Sequence, residues 1–227
     1  MPVALVTGAS RGFGAAVAHE LAGRGWTLVV TGRDAAALRR AVGETPDVIQ
    51  VPGDVADPVH QAALATEIGR LGRLDLLVNN ASGLGPSPLP SLDRYPLDQL
   101  ANLFTVNTIA PLAIIQHVLP ELVAADGMIV NVSSDAAVEP YPGWGGYGAT
   151  KAALDQLTRV LAAERPELRV YAFDPGDMRT EMHQAAFPGE DISDRPEPAT
   201  VVPALLRLVD ERPPSGRYQA SSLVSTA

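Results

Sequence analysis

Val3-Ala4-Leu5-Val6-Thr7-Gly8-Ala9-Ser10-Arg11-Gly12-Phe13-Gly14 is the stretch on which the reading of the whole chain turns. Val3 to Thr7 is a short continuous apolar run, the pattern of a strand covered on both faces. Phe13 to Arg24 has helical periodicity and ends at Gly25. Between strand and helix stand three glycines. They allow a tight turn and let the backbone approach a pyrophosphate, whose charge is met by the N-terminus of the helix that follows. The spacing is Gly-x-x-x-Gly-x-Gly, which differs from the commoner Gly-x-Gly-x-x-Gly. No Gly-Lys-Ser/Thr follows, so the loop is not a P-loop.

Working outward, apolar runs alternate with helical patterns. Strands are expected at Trp26–Thr31, Val48–Val51, Leu74–Val78, Met128–Val132 and Arg169–Phe173, with a seventh at Arg217–Ala220. Helices are expected over Ala35–Val42, from Pro58 to Leu71 with Asp57 as cap, over about Leu97–Val123, about Gly146–Glu164 and Val201–Asp210. Strand and helix in alternation imply a parallel sheet wrapped on both faces, and right-handed crossovers leave a doubly wound α/β fold. The composition shows no break, so residues 1–227 read as a single domain.

Composition narrows the function. Apolar residues are 46% and charged residues 19%, which suits a sizeable core. A formal charge of −9 argues against a nucleic-acid partner. There is no cysteine, hence no disulfide or thiolate chemistry, and His19, His60, His117 and His183 are scattered without metal-ligand spacing. No stretch approaches the ~20 apolar residues of a membrane span. The first residues lack the basic region of a signal peptide, so the expected location is the cytoplasm.

Chemistry gathers at Tyr147 and Lys151, four residues apart and therefore on one helix face. An ammonium beside a phenol favours the phenolate and makes it usable as acid or base. At the end of the second strand, Val30-Thr31-Gly32-Arg33-Asp34 decides the nucleotide. Arg33 and Arg11 offer two guanidiniums to a phosphate dianion, which favours NADP(H), with NAD(H) as second choice. The alternative is a solvated Arg33 with Asp34 capping the next helix.

These fragments together resemble the short-chain dehydrogenase/reductase family, over essentially the whole chain to about Thr180. The loop matches its Thr-Gly-x-x-x-Gly-x-Gly, and Asp54-Val55 its adenine-contacting pair. Asn79-Asn80-Ala81-Ser82 matches Asn-Asn-Ala-Gly with serine in place of the last glycine. Asn107 matches the helix asparagine, and Ser134 stands thirteen residues before Tyr147, the usual separation. Asp174-Pro175-Gly176, followed by Thr180, matches Pro-Gly-x-x-x-Thr. The resemblance implies a Rossmann fold and an enzyme in which Tyr147 is the acid or base. Ser134 would bond the carbonyl oxygen and Lys151 the nicotinamide ribose, while Asn107 would hold a water linking Lys151 to solvent.

It further implies cofactor contacts from Gly8, Ser10, Arg11, Gly12, Phe13, Gly14, Arg33, Asp54, Val55, Asn80, Ala81, Ser82, Tyr147, Lys151, Pro175, Gly176, Met178 and Thr180, and no metal. A substrate lid is expected over 181–198, with Met182, Phe187 and Ile192 as contacts and Tyr141 and Trp144 lining the pocket. The substrate is then a small carbonyl compound or secondary alcohol. Arg217–Ser222 replaces the family's usual Asp-Gly-Gly ending, which favours a homodimer through the helices around Leu97–Val123 and Tyr147–Glu164 over a tetramer. A competing reading is a non-catalytic NADP(H) sensor, although such proteins typically lack the Ser, Tyr or Lys retained here. An epimerase would need a longer chain.

Overall fold

β1 (Val3–Thr7) is buried at all five positions and lies inside a sheet that closes over it from both sides. The computed structural model describes residues 1–43 and 45–223. β2 (Thr27–Thr31), β3 (Val48–Gln50), β4 (Leu76–Asn79), β5 (Met128–Val132), β6 (Arg169–Asp174) and β7 (Gly216–Gln219) join it in the order β3-β2-β1-β4-β5-β6-β7. Every neighbouring pair is parallel, with Leu5 opposite Val29 on one side and Leu77 on the other. The strand order reverses beside β1, and a crevice opens there beyond the carboxyl ends of β1 and β4.

Alternation along the strands divides the core between two faces. Ala4, Val6, Leu28 and Val30 pack with Val17 and Leu21 of α1 (Gly12–Gly23) and Leu205 of α8 (Pro198–Glu211). Val3, Leu5 and Val29 pack with Leu64 and Ile68 of α3 (Pro58–Leu71) and Ile114 and Val118 of α5 (Ala110–Ala124). Caps mark the expected ends. Asp34 accepts from the Ala36 and Ala37 amides at 2.9 and 3.0 Å to start α2 (Ala35–Val42). Asp57 does the same for α3, where Pro58 fills the first position and Gly72 closes the helix in the left-handed region.

Most boundaries shift by a residue or a few from expectation, and two of the shifts have a visible cause. β4 begins at Leu76 instead of Leu74, because Asp75 accepts from the Val3 amide at 2.8 Å and pairs with Arg73 in the turn that leads in. The seventh strand ends at Gln219, and Ala220 opens a short α9 (Ala220–Leu223). The end of the chain, Val224–Ala227, lies outside the described residues.

The expected single helix over Leu97–Val123 is α4 (Leu97–Phe104), a π-turn (Thr105–Ile109) and α5 in series. By length and composition the run Leu97–Ala124, with an 18-residue stretch of mean hydropathy 1.4, could cross a bilayer, against the expectation that no stretch could. The scattered polar residues hid this from a count of uninterrupted apolar positions. In the fold its Ile114, Ile115, Val118 and Leu122 face belongs to the core against the sheet.

Candidate active site

A cavity of about 1090 Å³ occupies the crevice at the carboxyl ends of the strands. Its floor at one end is the glycine loop. Gly8 and Gly12 hold φ of +67° and +57°, a region where a side chain is strained. α1 begins without a side-chain cap, so its first amides have no side-chain acceptor, the arrangement that suits an anion. Gly8, Ser10, Arg11, Gly12 and Phe13 line the cavity; Gly14 does not. A Cβ on Gly14 would lie 2.3 Å from Asn80 Nδ2 and 2.4 Å from Gly8 O, so this glycine lets helix, loop and β4 turn close together. Asn80 in turn donates to Thr7 O and Gly8 O at 3.0 and 3.2 Å, while Thr7 Oγ1 accepts from the Asn80 and Ala81 amides. The fragments at residues 7–14 and 79–82 are thus one hydrogen-bonded unit.

Near the glycine loop, Arg33, Asp54 and Val55 line the cavity. The carboxylate of Asp34 is engaged on the α2 cap, and Arg33 is exposed beside the cavity. Arg11 forms an ion pair with Glu181, the first residue of α7 (Glu181–Ala186). A loop with uncapped helix amides, two arginines and room on this scale fits a dinucleotide phosphate chain and an added 2′-phosphate.

The other end carries the titrating groups. α6 (Gly145–Glu164) presents Tyr147 and Lys151, 9% and 2% exposed, into the cavity. Ser134, at the end of β5, donates to Asp135 Oδ1 at 2.9 Å and accepts from the Ala136 amide at 3.2 Å, so it also caps a turn. Lys151 Nζ donates to Val132 O at 2.8 Å and lies 5.6 Å from the Tyr147 ring centre.

The expected lowering of the phenol by Lys151 is not what this arrangement gives. Burial pushes the Tyr147 phenol up, the hydroxyls of Ser82 and Ser134 pull it down, and Asp174 and Asp135 add to the rise. The ammonium lies over the ring and is bonded to a carbonyl, and its own burial lowers Lys151 to about 8. A phenolate sealed from water is costly, and that effect dominates. Ser82, the departure from the family's glycine, therefore faces the phenol.

Asn107 stands behind the wall, 1% exposed at the centre of the π-turn. Its Nδ2 donates to Gly83 O at 2.9 Å and Thr150 Oγ1 at 3.0 Å, and its Oδ1 accepts from the Gly83 amide at 2.8 Å. Its amide thus ties the loop after β4 to α6.

Pro175, Gly176, Met178 and Thr180 line the cavity after β6, where Thr180 Oγ1 caps α7. Tyr141, Trp144, Met182 and Phe187 line the cavity; Ile192 is buried but lines no part of it. Trp144 meets Tyr147 edge-on at 5.7 Å, and Leu84, Leu103 and Ala136 complete an apolar patch around the phenol. Sequence reasoning missed Asp135, Asp155 and Arg217. Asp155 carried a signal, since 147, 151 and 155 share a helix face; the other two carried none.

A family model described as short chain dehydrogenase matches residues 2–191. Mouse (Mus musculus) sepiapterin reductase is 35% identical over 201 residues, 81% of this chain and 77% of that protein. A short chain dehydrogenase of Shigella flexneri, solved in complex with NADP, superposes with a TM-score of 0.89 at 31% identity, covering 97% of each chain. One from Escherichia coli, solved with NADPH, gives 0.89 at 31%, covering 96% of each.

Proposed function

We propose, on the premise that the chain belongs to the short-chain dehydrogenase family of oxidoreductases, to which the match over residues 2–191 assigns it, that it moves a hydride between NADP(H) and a small carbonyl compound or secondary alcohol. The observation that carries this reading is the convergence of Ser134, Tyr147 and Lys151 on the cavity whose far end is the glycine loop. Bound there, the nicotinamide supplies or accepts the hydride.

The residues do the rest. Tyr147, held protonated by burial, gives its proton to the forming alkoxide in reduction. The Ser82 hydroxyl then stabilises the phenolate left behind, which is the charge that develops in the step. Ser134 turns its hydrogen from Asp135 to the substrate oxygen. Lys151 returns the proton, and with its ammonium held to about pH 8 it also binds the ribose hydroxyls. Asn107 fixes Gly83, and through it Ser82, at the correct distance from α6. Arg11 and Arg33 hold the 2′-phosphate, with Asp34 kept away by its cap. The apolar patch around Trp144 favours an apolar group next to the reacting carbonyl.

A panel of ketones and aldehydes followed by NADPH absorbance, repeated with NADH, tests this directly. Turnover with NADPH well above NADH is the expected result. Equal efficiency would remove the phosphate clamp, and silence across the panel would favour the sensor.

A further inference from the structure

β7 brings one cation to the back of the site. Arg217 Nη2 donates to Ser134 O at 2.9 Å and to Asp174 Oδ2 at 3.0 Å, and its Nε donates to Asp155 Oδ2 at 3.1 Å. These acceptors belong to three different elements: the end of β5, the end of β6 and α6. Asp155 and Asp174 are 5% and 3% exposed, and Asp155 Oδ1 is buried with no hydrogen-bond partner among the described residues. Asp155 is one turn beyond Lys151 and two beyond Tyr147 on the same face of α6. Asp174 begins the turn that carries Pro175 and Gly176, accepting from the Gly176 amide at 3.0 Å.

We propose that Arg217 is a positioning residue for catalysis, a single planar cation that fixes the spacing between Ser134 and the Tyr147 helix and neutralises the two carboxylates behind them. This rests on the functional reading above. A guanidinium suits the task, because its rigid fork reaches acceptors in three directions while an ammonium is a compact point charge. Its charge matters as well. Tyr147 is faced by Asp174 and by Asp135 as well as by the Ser82 and Ser134 hydroxyls, and Lys151 is faced by Asp155. Without the guanidinium, buried Asp174 confronts a phenol that must become a phenolate, and buried Asp155 stands uncompensated beside Lys151.

The test is the pH profile of kcat/KM with NADPH and whichever carbonyl compound turns over, for wild type, Arg217→Gln, Arg217→Lys and Arg217→Gln/Asp174→Asn. Arg217→Gln should move the midpoint assigned to Tyr147 upward by about one unit, and lower kcat more than it changes KM. The direction is the same for phenol as acid and phenolate as base, since both follow one ionisation. Arg217→Lys should keep the midpoint within a few tenths of a unit and still lose kcat. The double variant should bring the midpoint back toward wild type without restoring kcat.

Variants that lose activity equally at every pH, with Tm falling in step, would show a merely structural arginine and overturn the proposal. So would Arg217→Gln with wild-type midpoint and kcat. Should Arg217→Gln fail to fold, Arg217→Lys decides through its kcat: unchanged turnover refutes the fixed spacing. A wild type silent on every carbonyl overturns the functional reading, and this role with it.

Discussion

Tyr147 and Lys151 show how one residue pair carries opposite costs for stability and function. Tyr147→Phe leaves the ring and its edge contact with Trp144 in place and removes only the phenol oxygen. It should cut kcat to below a few per cent of wild type while NADPH affinity, read by fluorescence titration, hardly changes. Retained turnover would mean another group moves the proton. Lys151 sits at about 8 in the folded chain against 10.5 in the open one, because burial disfavours its charge. Between those values the unfolded chain binds more protons than the folded one, so stability rises with pH through this window. Below pH 8 the buried ammonium costs on the order of 3 kcal/mol. Lys151→Met should therefore raise Tm at pH 7, lose the pH-dependent gain between 8 and 10.5, and abolish turnover.

Among the elements, the break in the long helix is the informative one. Asparagine is a poor mid-helix residue because its amide competes for backbone groups. Here the competition is resolved by a π-turn at Thr105–Ile109, which aims the Asn107 amide at both backbone groups of Gly83 and at Thr150. Asn107→Ala should leave those groups short of partners and cost about 1–3 kcal/mol in thermal or denaturant unfolding. It should also lower kcat, because Ser82 is released along with Gly83. A variant as stable and as active as wild type would reduce the π-turn to a helix irregularity. The Asp57 cap, by contrast, could be assigned in advance and the Asp34 cap stood as an alternative, since both act on amides two or three residues away.

For the molecule as a whole, the open question is association. Leu97, Ile109, Val123 and Val160 are apolar and exposed on α4, the π-turn, α5 and α6, the surface expected to pair. We expect a homodimer through these helices. Sedimentation at micromolar concentration should give about twice the chain mass, whereas monomer alone would refute it. Charge substitution at Ile109 and Val160 together should dissociate the dimer, neither residue lining the cavity.

The local code already determined much of this protein. Apolar runs, caps and glycines specified alternating strands and helices, and the fragments at residues 7–14, 79–82, 134 and 174–180 fell at or just past strand ends, with 147–151 on the helix after β5. Such signals act within a few residues, so a single sequence carries them. Tertiary structure alone decided what those fragments do to one another. It set the phenol above its ordinary value despite the nearby lysine, turned the Asn107 amide onto Gly83, and brought Arg217 across 62 residues to Asp155. Desolvation and the meeting of distant charges depend on which surfaces the fold buries together, and no local pattern records that.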